Sequence, residues 1–274
     1  MRILAAQIHI PAIDTREKQR AHVDSVIDRL GEQIRAQPVD LIVLPELATM
    51  EYSKENFQRI DEFAEPLEGE FYARFAAFCR EHRVAVCYGT PRREGDRTYI
   101  SQVVIDRHGD YLTHYDKMHT AEYGDSHEFK YFTRGDQLSV FEIDGVRAGI
   151  IICYDMRFPE LSRRLCRELN VDVILHPVAF SKDLSFHSWR QFVTTRALEN
   201  QVYFLSVNRS GPSFGQSMLC PPWIDDTVPP TVLGDEEAFQ VVTIDREVIA
   251  DVRARLPFRK DVLADYDSLA VRGA

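Results

Sequence analysis

A carboxylate, an ammonium and a thiol each follow an apolar, β-branched run. Glu46 closes Leu41-Ile42-Val43-Leu44-Pro45-Glu46, Lys117 follows Tyr111-Leu112-Thr113-His114-Tyr115-Asp116, and Cys153 closes Gly149-Ile150-Ile151-Ile152-Cys153. Ligands of α/β proteins collect at the carboxyl ends of strands, so three such ends could bring the three groups to one crevice. A thiolate near a helix N-terminus and an ammonium has a lowered pKa and is nucleophilic. A carboxylate in a dry pocket is pushed towards neutrality and can serve as general base. An ammonium can stabilise the oxyanion of a tetrahedral intermediate. Together these groups permit acyl transfer by attack on a carbonyl or nitrile carbon. Each also has a plainer reading: Cys153 as a small buried hydrophobe, Glu46 as a solvated loop carboxylate, Lys117 as a surface ammonium. Taken singly, the plainer readings win.

The elements that would position them alternate between short apolar runs and longer helical patterns. Strands are expected over 2–8, 40–44, 84–89, 98–105, 111–115, 138–143, 146–152, 171–176, 202–207 and 239–245. Several are continuously apolar, as in strands covered on both faces. A helix over 15–36 places Val23, Val26, Ile27, Leu30 and Ile34 on one stripe, with Asp14 and Glu17 as its capping box. Further helices are expected over 69–82, over 159–170 with Pro159 in its first turn, and over 186–200. Hairpins turn at His108-Gly109-Asp110 and at Asp144-Gly145. The stretch 211–237, rich in Gly, Pro and acidic residues, reads as a long loop. Parallel crossovers and hairpins thus mix in an α/β fold, with no linker or repeat, and one domain is expected over 1–274.

With 33 Lys and Arg against 43 Asp and Glu, the net charge is −10, which argues against nucleic-acid and anionic-membrane binders. No segment reaches the apolar length of a membrane span, and the N-terminal run reads as a strand and not as a signal peptide. The five cysteines, Cys79, Cys87, Cys153, Cys166 and Cys220, form no Cys-x-x-Cys pair. A reducing, cytoplasmic setting without disulfides is expected.

Longer segments add to the three residues: Leu44-Pro45-Glu46, Tyr115-Asp116-Lys117-Met118-His119, Phe132-Thr133-Arg134-Gly135-Asp136, the run from Gly149 through Cys153-Tyr154-Asp155-Met156-Arg157-Phe158-Pro159-Glu160-Leu161, Arg196-Ala197-Leu198-Glu199-Asn200-Gln201 and Gly215-Gln216-Ser217-Met218. In these the chain resembles the nitrilase, or carbon–nitrogen hydrolase, superfamily. The block around Cys153 is similar to the omega-amidase and deaminated-glutathione-amidase branches. The resemblance implies an αββα sandwich of two mixed sheets covered by helices, a homodimer or higher homo-oligomer, and no cofactor. It implies that Cys153 attacks an amide carbon and forms a thioester, that Glu46 relays protons, and that Lys117 and the Tyr154 N–H hold the oxyanion. The family's second carboxylate falls on Glu128, with Glu122 as the competing assignment. Arg157 and His119 are placed at the substrate: Arg157 to bind a carboxylate or to pair with Asp155 or Glu160, His119 as substrate contact or supporting hydrogen-bond partner. Ser188-Trp189-Arg190 and Cys220-Pro221-Pro222-Trp223-Ile224-Asp225-Asp226 depart from the family pattern in pocket-forming loops.

Rival readings are a metal hydrolase, a non-catalytic scaffold on the same fold, and acyl transfer to an amine. Six of the nine histidines, His108, His114, His119, His127, His176 and His187, are candidate ligands, but they show no zinc-ligand spacing, so no metal is expected. The expected activity is hydrolysis of a small linear amide, with N-carbamoyl amines or amino acids as runner-up and a nitrile behind them.

Overall fold

In the computed structural model, which describes residues 1–122, 126–263, 265–266 and 268–273, two six-stranded mixed sheets stack face to face between helices. The first sheet holds β1 (Arg2–Gln7), β2 (Leu41–Val43), β3 (Ala85–Glu94), β4 (Arg97–Ile105), β5 (Tyr111–Asp116) and β12 (Ala238–Thr243), in the order β12-β1-β2-β3-β4-β5. The second holds β6 (Val140–Ile143), β7 (Val146–Ile150), β8 (Val173–Pro177), β9 (Tyr203–Val207), β10 (Met218–Cys220) and β11 (Thr231–Val232), in the order β11-β10-β9-β8-β7-β6. Strands β1, β2 and β3 run parallel, as do β7, β8 and β9, and antiparallel strands flank both groups.

Alternation along the strands builds the layers. In β1, Ile3 and Ala5 face the second sheet and join Ala148, Ile150, Val173, Leu175 and Leu205 in a central core. Leu4 and Ala6 point the other way, onto α1 (Arg16–Ala36) and α4 (Glu70–His82) through Val23, Val26, Leu30, Phe71 and Phe75. The outer face of the second sheet packs Ile174 and Phe204 against Leu161 of α5 (Pro159–Arg163) and Trp189 and Val193 of α6 (Phe186–Asn200). Each sheet is therefore apolar on both faces, which is why so many strands read as unbroken hydrophobic runs.

Several expectations need correction. The α1 cap is Thr15, extended at φ −140° and ψ 157°, whose hydroxyl accepts from the Lys18 N–H; Asp14 pairs with the Lys18 ammonium instead. Residue 15 stands three before that N–H, the distance a cap needs. The stretch 211–237 is not all loop: it contributes β10 and β11, too short to show a period. Strand β3 runs on to Glu94, so a further hairpin precedes β4. The helix at 159 is α-helical only to Arg163 and continues as a π turn over Arg164–Glu168. The short helices α2 (Lys54–Gln58), α3 (Ile60–Phe63) and α8 (Phe258–Asp261), and α7 (Arg246–Arg255) with Asp245 at its cap, were not expected.

Candidate active site

Glu46 sits in the turn that leaves β2. The Leu44 N–H donates to the Cys87 carbonyl at 2.9 Å, and Leu47 then takes a left-handed φ of 48°. This tight exit needs a bare neighbour: a Cβ on Gly89 would stand 2.4 Å from the Pro45 oxygen and 2.5 Å from the Leu47 nitrogen. From the other sheet, the buried Arg209 guanidinium reaches across and donates to the carbonyls of Leu47 at 3.1 Å and Met50 at 2.9 Å. Lys117 follows directly on β5, with its N–H on the Ile100 carbonyl and its own carbonyl accepting from the Gly135 N–H, both at 2.9 Å. Glu128 opens the 3₁₀ turn Glu128–Lys130.

These three side chains meet out of water. Glu46, Lys117 and Glu128 are each at most 1% exposed. The Lys117 ammonium donates to Glu46 Oε1 at 2.7 Å and to Glu128 Oε1 at 2.8 Å. The remaining oxygens are held as well: Glu46 Oε2 accepts from the Ala179 N–H at 2.8 Å, and Glu128 Oε2 from the Ala121 N–H at 2.9 Å. The Tyr52 hydroxyl donates to Glu128 Oε1 at 2.5 Å. The competing carboxylate, Glu122, is exposed and faces outward into a cleft of about 560 Å³ that it lines with His119, Thr120, Arg134, Tyr154 and Phe158.

Cys153 opens the 3₁₀ helix Cys153–Arg157 and itself takes a left-handed φ of 45°. Asp155, fully buried, ties this turn to the rest. Its Oδ2 accepts from the Tyr115 hydroxyl at 2.7 Å and the Ile152 N–H at 3.0 Å; its Oδ1 accepts from the His119 N–H at 2.9 Å and meets His119 Nδ1 at 2.8 Å. His119 is thus engaged with Asp155 and stacks on Phe158 at 3.7 Å between ring centroids. Asp155 is occupied by these donors, and Arg157 lies elsewhere, with its guanidinium 5.8, 5.7 and 5.3 Å from the ring centroids of Tyr154, Phe180 and Phe192.

Burial sets the titration of the site. It pushes the Glu46 carboxyl up; the Lys117 ammonium opposes this, and the Glu128 charge adds to it. Burial works against the Lys117 ammonium, but Glu128 and Glu46 hold its pKa well above the ordinary lysine value. The expectation of a lowered thiol pKa is overturned. Burial and the Glu46 carboxylate outweigh Lys117 and push the Cys153 thiol well above its ordinary value.

Four roles escape reading from sequence: Tyr52 holds the Glu128 carboxylate, Arg209 holds the backbone of the turn after Glu46, and Asp155 and His176 hold the Cys153 turn. Of these residues only His176 stands in an apolar run, Ile174-Leu175-His176-Pro177-Val178, a signal that marks burial without naming a partner. Among the described residues no three His, Cys, Asp or Glu side chains are grouped as a metal would need, and no helix is long and apolar enough to cross a membrane.

Two six-stranded sheets in an αββα stack, with a lysine bridging two buried carboxylates near a cysteine, define an α/β sandwich that carries a thiol at a buried ionic site. The carbon–nitrogen hydrolase family model matches residues 4–254, and the chain belongs to that family. It is 31% identical to the "Hydrolase in pqqF 5'region" of Pseudomonas protegens, over 87% of this chain and 84% of that one. It is 28% identical to the 2-oxoglutaramate amidase of Bacillus subtilis, over 82% of this chain and 86% of that one. Among solved structures, a glutamate variant of the amidase from Nesterenkonia sp. AN1 superposes with a TM-score of 0.74 at 25% identity, over 96% of this chain and 97% of that one; it carries the acetamide moiety of fluoroacetamide covalently at its active-site cysteine.

Proposed function

We propose that the chain hydrolyses the C–N bond of a small linear amide through a thioester on Cys153. The observation that carries this reading is the Lys117 ammonium held at 2.7 and 2.8 Å by Glu46 and Glu128 in a dry site next to the Cys153 thiol. As the sulfur attacks the amide carbon, its proton passes to Glu46, whose raised pKa suits a general base. The carbonyl oxygen takes the electron pair and is held by Lys117 and by the N–H of Tyr154, the second residue of the 3₁₀ helix Cys153–Arg157. Collapse breaks the C–N bond while Glu46 returns its proton to the nitrogen, and ammonia leaves. Water then attacks the thioester and gives a proton to Glu46. Cleavage of the C–S bond releases the acid, and the sulfur recovers its proton.

Glu128 takes no proton in this scheme; held by Tyr52 and the Ala121 N–H, it orients Lys117. Arg157, lodged against three rings, is the proposed anchor for a substrate carboxylate. The named activity of the Bacillus subtilis relative and the covalent cysteine adduct of the Nesterenkonia amidase both support this reading. A homodimeric, cytoplasmic enzyme of one domain completes the proposal.

The test is ammonia release from simple amides, ω-amides of dicarboxylic acids, N-carbamoyl compounds and nitriles, with chelator present. Wild type and Cys153→Ala are run side by side. Release by wild type alone, fastest on carboxylate-bearing amides, is expected. Equal release by both proteins would overturn the role of Cys153, and a preference for N-carbamoyl compounds or nitriles would overturn the substrate.

A further inference from the structure

Behind Cys153 lies a buried hydrogen-bond chain with only one possible direction. His176 Nε2 is 2.9 Å from the Cys153 carbonyl oxygen, His176 Nδ1 is 2.8 Å from Ser206 Oγ, and Trp189 Nε1 is 3.1 Å from the same Ser206 Oγ. All three side chains have 0% exposure. A carbonyl only accepts, so Nε2 carries the hydrogen. In the neutral ring Nδ1 is then a bare acceptor and takes the Ser206 hydroxyl hydrogen. An indole N–H only donates, so it fills a lone pair of Ser206 Oγ. Trp189 therefore orients Ser206, Ser206 selects the His176 tautomer, and His176 donates to Cys153. Burial keeps the imidazole neutral by pushing its pKa down to about 4, and the ring is wedged edge-on against Phe204 at 5.2 Å.

The oxygen that His176 grips belongs to the peptide unit whose other end is the Tyr154 N–H. A peptide is planar, with its C=O and N–H pointing opposite ways. Clamping the oxygen on the β8 side thus sets the direction of the N–H on the other side. The clamp also acts where Cys153 holds a left-handed φ of 45°, a conformation that a cysteine keeps only when its surroundings enforce it. A donor on the carbonyl further polarises the same peptide and strengthens its N–H.

We infer that His176 is a positioning residue that aims the Tyr154 N–H at the oxyanion, with Ser206 and Trp189 locking the tautomer that can do so. The inference rests on the function proposed above, because it assumes an oxyanion forms beside Cys153. It adds a residue on a neighbouring strand, out of contact with substrate, that acts through the backbone.

Two reactions of the thiol separate this role from general support of the fold. Succinic semialdehyde adds to Cys153: the S–C bond forms, the thiol proton passes to Glu46, and the aldehyde oxygen becomes the held oxyanion. Iodoacetamide alkylates the same sulfur by displacing iodide, with no oxyanion. His176→Phe removes the donor and keeps the bulk; it should weaken semialdehyde binding about tenfold to a hundredfold, below the loss seen on deleting an oxyanion donor outright. Alkylation should change less than about threefold. His176→Gln, whose amide can donate to the carbonyl and accept from Ser206, should restore most of the affinity. If His176→Phe does not fold, Ser206→Ala makes the same test with a loss of about threefold to tenfold. Parallel loss of binding and alkylation, unchanged semialdehyde affinity, or a wild type that does not bind the semialdehyde would each overturn the inference. A wild type that binds the semialdehyde but releases no ammonia from any amide would overturn the proposed function and leave the positioning role standing.

Discussion

Asp116 and Lys117 are chain neighbours at the end of β5, yet they build opposite kinds of ion pair. Asp116 meets Arg92 of β3 in a two-pronged contact at 3.1 and 2.6 Å, with Ser101 as a further donor and His114 Nε2 3.6 Å away. One carboxylate there has more donors than it needs and some access to water. Burial works against its charge, but the His114 ring beside it and the hydrogen bonds from Arg92 and Ser101 override it and bring the carboxyl down to about 2. Lys117 turns inward, where one cation serves two carboxylates with no water. There Glu46 is pushed up instead of down. The same pairing of cation and carboxylate therefore gives a fixed strut on one side of the strand end and a group poised to exchange protons on the other. Stoichiometry and dryness make the difference, not the residue types.

The harshest way to break this contrast is Lys117→Met. It removes a proposed oxyanion donor, so ammonia release should fall by at least about a hundredfold. It also leaves Glu46 facing Glu128 without a cation, which pushes the Glu46 carboxyl further up. A carboxyl with a raised folded-state pKa contributes stability that is full below its ordinary value of 4.5 and fades as pH climbs through the folded value. The melting temperature of the variant should therefore drop from pH 5 to pH 8 more steeply than that of wild type. Matching pH profiles would mean that the inner carboxylates do not depend on Lys117 for their charge.

Asp116→Asn probes the strut. With a folded-state value of about 2 against 3.8 unfolded, the charge contributes about 2 kcal/mol at neutral pH. The sign runs opposite to the inner site: a lowered carboxyl stabilises above 3.8 and loses that contribution as pH falls through about 2. Denaturant melts should show the deficit at pH 7 and its disappearance near pH 2, while kcat/KM at pH 7 stays within about threefold of wild type. A collapse of activity without a loss of stability would show that the two halves of the strand end are one unit.

The contrast also marks what could be read from sequence. Apolar runs announced the inner strands, and the Asp144-Gly145 turn announced its hairpin, because both signals are local. The meeting of Glu46 and Lys117 was readable only as two strand ends of the same polarity. Which acidic residue faces Lys117 depends on the path of the chain between 118 and 130, and no local pattern separates Glu122 from Glu128. The direction of the Cys153 shift was misread because the residues near it were known but their dryness was not. Its neighbours argue for a thiolate; burial beside Glu46 reverses the balance. Thr15 and Asp14 are both good caps by type, and only the extended backbone at Thr15 decides between them.

The mildest probe sharpens the inner half of the comparison. Tyr52 donates to Glu128 Oε1 at 2.5 Å, onto the same oxygen that accepts from Lys117. Burial and the Glu128 charge push the Tyr52 phenol well above its ordinary pKa, so it remains a donor throughout the working range. Tyr52→Phe keeps the ring, which packs edge-on against Phe57 at 4.9 Å, and removes only the hydroxyl. A hydrogen bond to a charged group contributes about 1.5 kcal/mol to stability, so the melting temperature should fall by a few degrees, and the misaimed Lys117 should lower kcat/KM by up to about tenfold. The loss should sit in kcat and not in KM, because Glu128 orients Lys117 and contacts no substrate in the proposed scheme. A loss confined to KM would instead place Glu128 at the substrate, and the inner cluster would then be a binding site as much as a proton-handling one.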